Sequence, residues 1–178
     1  AIRIIVWAGE TIHMSVNTKT TERRNVELDS LDDITAEVDR LEAAHDAGTL
    51  RTTGNWSAGQ VLWHCAAVIR ASIDGFPKGA TPPWWMKIAG RLIKRNAVAP
   101  GEMPPAGFKL PKGLSAFVPP EGVAFEQGAS DLREAIGRVK SGETMTAPSP
   151  IFGPMTHEQW TNLHLGHCRL HFSFLHPE

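Results

Sequence analysis

The sequence predicts an all-α protein that folds as a four-helix bundle, and three observations support this fold class. Four long segments carry apolar residues at intervals of three and four positions, the spacing of one face of an α-helix. Three of these segments begin with a capping box, in which a Ser or Thr is followed three residues later by Asp or Gln. No segment alternates apolar and polar residues convincingly, so no β-strand is predicted. Four amphipathic helices bury their apolar faces by packing against one another.

Capping boxes place the starts of the first two helices. Ser30 begins the first box, and the apolar spacing after it ends before Gly48, which predicts a helix over residues 31–47. Ser57 begins the second box, which predicts a helix over residues 57–73. A glycine after the last apolar position is a common helix stop, because it adopts the left-handed conformation without steric cost.

A proline-rich segment separates the second long helix from the third. Proline lacks an amide hydrogen and blocks helix interiors, so we expect residues 77–120 to be mainly extended or turn-like. One short helix is predicted over residues 83–96, with a proline near its first turn. A connection of about 50 residues lets the chain return to its starting end, so the second and third long helices are expected to run parallel. Nine of the 13 prolines lie in this crossover, namely Pro77, Pro82, Pro83, Pro100, Pro104, Pro105, Pro111, Pro119 and Pro120.

The two remaining long helices follow the crossover. The third is predicted over residues 123–140, but Gly128 weakens its first half and leaves a start at Ser130 as the alternative. Thr156 begins the third capping box, which predicts the last helix over residues 157–175, ending before a proline.

Composition and charge exclude several classes of protein. A chain of 178 residues with 42% apolar content is expected to form one domain with its own core, and not a disordered segment. The formal net charge of −1 argues against a protein that coats nucleic acid. Two cysteines cannot form a disulfide framework. No apolar run approaches the roughly 18 residues of a membrane-spanning helix.

The first 13 residues stand apart from the predicted domain. Met14 begins a stretch that reads like a natural start, so residues 1–13 are interpreted as an upstream extension or a cloning remnant. An extra strand or an anchoring arm is the alternative. Residues 14–178 then form the single bundle domain. Because the apolar run near the start is too short for a secretory signal, a cytoplasmic location is the default expectation.

Four histidines are candidates for chemistry. His167 and His171 are four positions apart in the last helix, so both imidazoles project from one face, one turn apart. His164 shares that face, and His64 lies on the apolar face of the second helix. Three imidazoles with open coordination positions suit Zn, Ni, Fe or Cu, the first three being favoured, and resemble catalytic sites more than closed structural ones. The alternative is that these histidines are hydrogen-bonded in the core without metal.

Two cysteines directly follow candidate ligands. Cys65 and Cys168 lie about 100° around the helix from those histidines, so they are expected to point away from a metal. We interpret both as buried, inert thiols. A reactive thiol, which needs an electropositive setting, is the alternative.

Two segments that carry the histidines resemble the DinB-like superfamily of metal-binding helical bundles. The stretch from Gly54 to His64 is similar to the capped second helix of that superfamily, with its single metal-binding histidine. The stretch from His167 to His171 is similar to the paired ligands on its last helix. The stretches from 152 to 156 and from 160 to 164 resemble an uncharacterised branch of unknown function. The resemblance extends over about residues 17–176.

The resemblance implies a fold, a ligand set and a chemistry. It implies an up-down-down-up bundle, often dimeric, in which His64, His167 and His171 bind one divalent metal. His164 would be a second-shell or substrate-facing residue. Well-understood relatives are transferases or isomerases that use low-molecular-weight thiols such as mycothiol or bacillithiol, which implies an S-transferase-like enzyme acting on a thiol or small electrophile. The alternatives are a non-catalytic bundle with structural metal or hydrogen-bonded histidines, and a damage- or stress-response binding protein.

The crossover carries most of the excess positive charge. Residues 78–112 have a net charge of +6, which leaves −7 for the rest of the chain. A solvated helix face is one interpretation, an opening for an anionic small molecule or thiol is another, and a membrane surface or nucleic acid is a third. We expect the crossover to border the metal, around Trp84 or Lys109, and to favour an anionic or thiol substrate. The basic residues are Lys78, Lys87, Arg91, Lys94, Arg95, Lys109 and Lys112.

Overall fold

The structure is a computed structural model, and it describes residues 6–7, 10–11, 15–108 and 110–178. The described chain is predominantly helical. None of its helices is long and apolar enough to cross a membrane. In chain order the helices are α1 (Leu31–Asp46), α2 (Ala58–Asp74), α3 (Trp84–Ala97), the short 3-10 helix η1 (Lys112–Phe117), α4 (Phe125–Lys140) and α5 (His157–Phe172).

All three predicted capping boxes are present. The side chains of Ser30, Ser57 and Thr156 each accept a hydrogen bond from the backbone amide three residues later. In each case the side chain at that third position, Asp33 or a glutamine, bonds back to the capping residue's own amide. Reciprocal bonds of this kind satisfy two amides that a helix start otherwise leaves unpaired. The starts of α1, α2 and α5 therefore lie within one residue of their predicted positions.

The prediction that the chain has no strands was wrong. Strand β1 (Val6–Trp7) pairs antiparallel with β2 (Glu10–Thr11), and β3 (Leu50–Thr52) pairs antiparallel with β4 (Leu175–Pro177). The last helix was predicted to reach residue 175 but ends at 172, because the chain beyond it extends to pair with β3. The side chain of Leu175 is thereby fully buried. The other residues of the 1–13 segment lie outside the described part of the chain.

Contacts between the helices give their relative directions. Gly59 near the start of α2 lies against Ala124 at the start of α4, and Asp74 at the end of α2 pairs with Arg138 near the end of α4. The helices α2 and α4 therefore run parallel, as the length of the crossover predicts.

Helices α1 and α5 run in the opposite direction to these two. His45 at the end of α1 pairs with Glu126 at the start of α4, whereas Asp32 at the start of α1 pairs with Lys140 at the end of α4. Late in α2, Ser72 contacts His164 of α5, whereas residues earlier in α2 contact residues later in α5. Each of these two helices is antiparallel to its partner.

Two glycines let α2 and α4 approach each other closely. The Cα of Gly128 lies so near to α2 that a Cβ added there would overlap the carbonyl oxygen of Gly59. A Cβ added to Gly59 would in turn overlap the backbone at Ala124. The sequence pattern identified Gly128 only as a weakness in a helix, but α4 begins at Phe125 and continues through it, because the packing of the two backbones outweighs its poor propensity.

Replacing Gly128 by Ala is expected to destabilise the protein, because the added methyl group must push α2 and α4 apart. Overpacking of this kind costs about 1–3 kcal/mol. The matched control is Gly137→Ala in the same helix, where nothing lies within 4 Å of the added Cβ. That change is expected to stabilise by about 0.5–1 kcal/mol, because alanine favours the helix. Urea unfolding of both variants measures the difference, and equal free energies of unfolding would contradict the close packing.

Candidate metal centre

Three imidazoles from two helices meet between α2 and α5. His64 is buried in α2, and His167 and His171 are partly buried on successive turns of α5. One ligand atom from each of the three side chains lies within 4.8 Å of the other two. The structure thus brings together the three histidines that the spacing and the resemblance single out.

The ring nitrogens of this cluster make more close contacts than hydrogen bonds alone can satisfy. The Nε2 atom of His167 lies 3.1 Å from Nε2 of His64 and also 3.1 Å from Nε2 of His171. A ring nitrogen has a single in-plane direction, which carries either one hydrogen or one lone pair. Nε2 of His167 therefore cannot form well-directed hydrogen bonds to both neighbours. A cation between the three nitrogens would accept all three lone pairs.

A backbone carbonyl sets the orientation of His64. Its Nδ1 atom lies 2.6 Å from the carbonyl oxygen of Phe117, the last residue of η1. A carbonyl only accepts, so Nδ1 is the protonated nitrogen and Nε2 presents its lone pair to the cluster. Such a carbonyl partner is typical of histidines that bind metals, because it fixes the tautomer and the plane of the ring.

Burial keeps the three rings neutral. Burial lowers the pKa of His64 to about 4, although the hydrogen bond to Phe117 acts in the opposite direction. Burial also lowers the pKa values of His167 and His171 well below the usual range, and repulsion from the neighbouring imidazoles adds to the effect. All three rings are therefore uncharged near neutral pH and keep the lone pairs that a metal requires.

The indole of Trp56 forms an aromatic wall beside the cluster. It stacks on His171 with ring centres 5.4 Å apart and planes 15° apart, and its centre lies 4.8 Å from that of His64. Trp56 directly precedes Ser57, the N-cap of α2, so the cap of that helix also fixes the position of the indole. Neither Trp56 nor Phe117 was identified as a site residue from the sequence. The capping pattern at the start of α2 could have pointed to Trp56. The sequence carries no signal for the role of the Phe117 carbonyl, because every residue has one.

His164 occupies a separate position in the core. Its Nε2 atom lies 3.0 Å from Oγ of Ser72, and its ring stacks on Trp160. The hydroxyl of Ser72 donates to the carbonyl of Ile69, so its oxygen accepts the Nε2 hydrogen of His164. The Nδ1 atom of His164 is buried and has no hydrogen-bond partner among the described residues. Burial lowers the pKa of His164 to about 3.

The other residues predicted near the site lie elsewhere or outside the described chain. Trp84 is largely exposed at the start of α3, and it is not among the aromatic side chains seen to pack on the three imidazoles. Its position gives no support to a substrate-facing role. Lys109 falls outside the described residues. Among the described residues of the crossover, Phe117 at the end of η1 contacts the cluster through its carbonyl.

The two cysteines pack against each other in the core. Cys65 and Cys168 are both buried, as the sequence predicts. A hydrogen bond to Cys168, together with burial, raises the pKa of the Cys65 thiol well above its usual range. A thiol held in the protonated form is a poor nucleophile and a poor ligand.

Comparison with known proteins gives one match. A family model described as "Protein of unknown function (DUF1569)" matches residues 20–178, a range that includes all three histidines of the cluster. No curated protein and no solved structure matches the chain. The matched family model does not assign the chain to the DinB-like superfamily, so membership of that superfamily stays a prediction.

The link between Ser72 and His164 is expected to be structural. Ser72→Ala leaves the buried Nε2 hydrogen of His164 without an acceptor, which costs about 1–3 kcal/mol of stability. The matched control is Ser173→Ala, because the buried hydroxyl of Ser173 also bonds a carbonyl three residues back, but no histidine. Thermal unfolding should show the larger loss for Ser72→Ala. A loss no larger than that of the control would refute the link.

Proposed function

Because the chain belongs to the DUF1569 family of proteins of unknown function, we propose its function from the site itself: His64, His167 and His171 bind one divalent metal ion. The observation that carries this proposal is the convergence of three imidazole nitrogens within 4.8 Å of one another. An ion about 2.0–2.1 Å from each nitrogen holds tetrahedral ligands about 3.4 Å apart. The two separations of 3.1 Å between Nε2 atoms are close to that value.

The proposal accounts better for the cluster than a hydrogen-bonded core does. A neutral set of three rings leaves at least one of the two close Nε2 pairs without a hydrogen bond, because it has either two lone pairs or two hydrogens, or a hydrogen directed elsewhere. Protonating one of the imidazoles does not supply the missing hydrogen bond at low cost, because burial opposes the charged form of the ring. A cation that accepts all three lone pairs removes the conflict.

The donor set favours Zn, Ni or Fe and an open coordination sphere. Imidazole suits these metals, and three protein ligands leave room for at least one further ligand, as in catalytic zinc sites. His167 and His171 are partly buried whereas His64 is buried, so we place the open coordination position on the side of the two α5 histidines. A bound divalent ion would supply Lewis acidity, which favours deprotonation of a water or thiol at the open position.

The resemblance to DinB-like proteins suggests a reaction class. The helix directions support a four-helix bundle in up-down-down-up order, with α1 and α5 opposed to α2 and α4. On this proposal the protein is an S-transferase-like enzyme for a low-molecular-weight thiol or small electrophile. Three neutral ligands leave the ion's charge of about +2 uncompensated, which favours an anionic or thiolate ligand. Trp56 would then form the apolar wall against which that ligand packs.

Replacing His167 by Ala is expected to abolish stoichiometric metal binding, because its Nε2 lies between the other two nitrogens. Purified wild-type protein should bind one equivalent of zinc, measured by elemental analysis after dialysis. The matched control is His45→Gln, which removes an exposed histidine in the last turn of α1. The control should keep one equivalent, and both variants should keep the helical circular-dichroism signal.

Two results would contradict this proposal. Retention of one equivalent of zinc in His167→Ala would move the site elsewhere. Loss of the helical signal in that variant at neutral pH would make the cluster a structural element of the fold, and so favour the non-catalytic alternative.

Small thiols are expected to change the visible spectrum of the cobalt-substituted protein. A thiolate that enters the open position adds a sulfur-to-cobalt charge-transfer band, and His167→Ala should lack it. Thiol-free carboxylates of similar size are the matched control ligands. A spectrum that no thiol or anion changes would indicate a closed structural site, and would refute the transferase proposal while leaving metal binding intact.

A further inference from the structure

Helix α3 presents an apolar face that the rest of the described chain leaves uncovered. Trp84 is 74% exposed and Leu92 is 80% exposed. Three further large apolar residues of the same helix are at least half exposed. Soluble monomers rarely collect so many exposed large apolar side chains on one short helix. The three further residues of α3 that are at least half exposed are Trp85, Ile88 and Ile93.

The opposite side of α3 fixes the helix to the body of the protein. Met86 and Gly90 are the buried residues of this helix. A Cβ added to Gly90 would lie 2.6 Å from the side chain of Ile151, so the two backbones are in close contact. Lys94 donates a hydrogen bond to the carbonyl of Pro154. Few residues of α3 therefore contact the body of the protein, and the apolar face of the helix points away from it.

Positive charge borders this apolar face. Helix α3 contains four basic residues and no acidic residue. Arg91 and Arg95 are exposed among the apolar side chains, whereas Lys87 and Lys94 lie at the edge that meets the body. Lys87 and Arg91 also line a cleft of about 410 Å³ between α3 and the 148–154 segment, whose lining has no acidic residue.

We propose that the exposed face of α3 binds the surface of an anionic phospholipid bilayer. A helix with tryptophan, leucine and isoleucine on one side and arginine and lysine beside them lies in the plane of the membrane interface. Tryptophan favours that interface because its ring is apolar and its N–H can remain hydrated. Lipid phosphates meet the cations, and the cleft beside Lys87 and Arg91 accommodates a headgroup.

The positive charge of α3 argues against a second copy of the chain as its partner, and its apolar side chains argue against nucleic acid. A second copy that met this face symmetrically would bring two helices with four cations each together, without an acidic residue to compensate them. Nucleic acid would account for the cations but not for Ile88, Leu92 and Ile93, since its binding depends on phosphate contacts and on stacking by aromatic groups. A bilayer with acidic lipids accounts for both properties.

The first experiment is sedimentation of the wild-type chain with vesicles. The protein should sediment with vesicles of phosphatidylcholine and phosphatidylglycerol in equal parts, and much less with phosphatidylcholine alone. Arg91→Gln should weaken the partition about fivefold, the effect of one cation near an anionic surface. Its matched control, Arg40→Gln, removes an exposed arginine of α1 and should leave the partition unchanged.

The apolar contribution has its own matched pair. Leu92→Ser should weaken the partition about tenfold, because the leucine side chain loses its burial in the interface. Val118→Ser, at an exposed apolar residue outside α3, should have no effect. Replacing Trp84 and Trp85 together by Phe should retain most of the partition but remove most of the blue shift of tryptophan fluorescence that vesicles cause.

Several results would overturn the proposal. They are failure of the wild type to sediment with mixed vesicles, equal partition into both kinds of vesicle, and a partition that Leu92→Ser does not change. A concentration-dependent dimer that Leu92→Ser abolishes would assign this face to a second copy. Binding of double-stranded DNA that needs Arg91 but not Leu92 would assign it to nucleic acid. None of these tests depends on the metal centre.

Discussion

A histidine nitrogen offers one in-plane direction, and this constraint governs how α2 and α5 must pack. In this structure the three directions meet between two antiparallel helices, and the ring of His64 is held in one plane. The carbonyl of Phe117 holds that ring, and Trp56 limits it on the other side. On its far side α2 is fixed by contact with α4, where Gly59 and Gly128 let the two backbones touch. The cluster is therefore a product of packing on both sides of one helix.

The crossover has two separate effects on the molecule. Its middle part passes over the outer face of α5, where a Cβ on Gly166 would overlap the carbonyl of Glu102 and where Asn162 donates to the carbonyl of Val98. Its last part returns to α2 and supplies the carbonyl that orients His64. Its first part carries α3, whose Lys94 bonds to the carbonyl of Pro154 and whose Lys87 and Arg91 line a cleft that does not include the three imidazoles. The positive charge that the sequence places in the crossover is thus concentrated on an outer helix, while the cluster is built from neutral rings.

Much of this arrangement was predictable from the sequence, and the exceptions have physical causes. The capping boxes and apolar spacing predicted the five α-helices, and the spacing of His167 and His171 predicted that both project from one face of the last helix. Their grouping with His64 was implied by the resemblance to DinB-like proteins. The pair of strands at residues 50–52 and 175–177 was missed, because three-residue strands carry too few positions to show alternation. Phe117 was missed because it acts through its backbone, which is identical in every residue type. Trp84 was expected near the site and Trp56 was not identified there, because linear sequence does not say which side of the molecule a crossover helix occupies.

The central claim is that three imidazoles hold one metal ion, and X-ray absorption at the zinc edge tests it most directly. Protein loaded with one equivalent of zinc should show a shell of nitrogen and oxygen donors at about 2.0–2.1 Å, with the outer-shell scattering of three imidazoles. Sulfur at about 2.3 Å would place the metal at Cys65 or Cys168 instead and contradict the claim. A shell without imidazole scattering would contradict it as well.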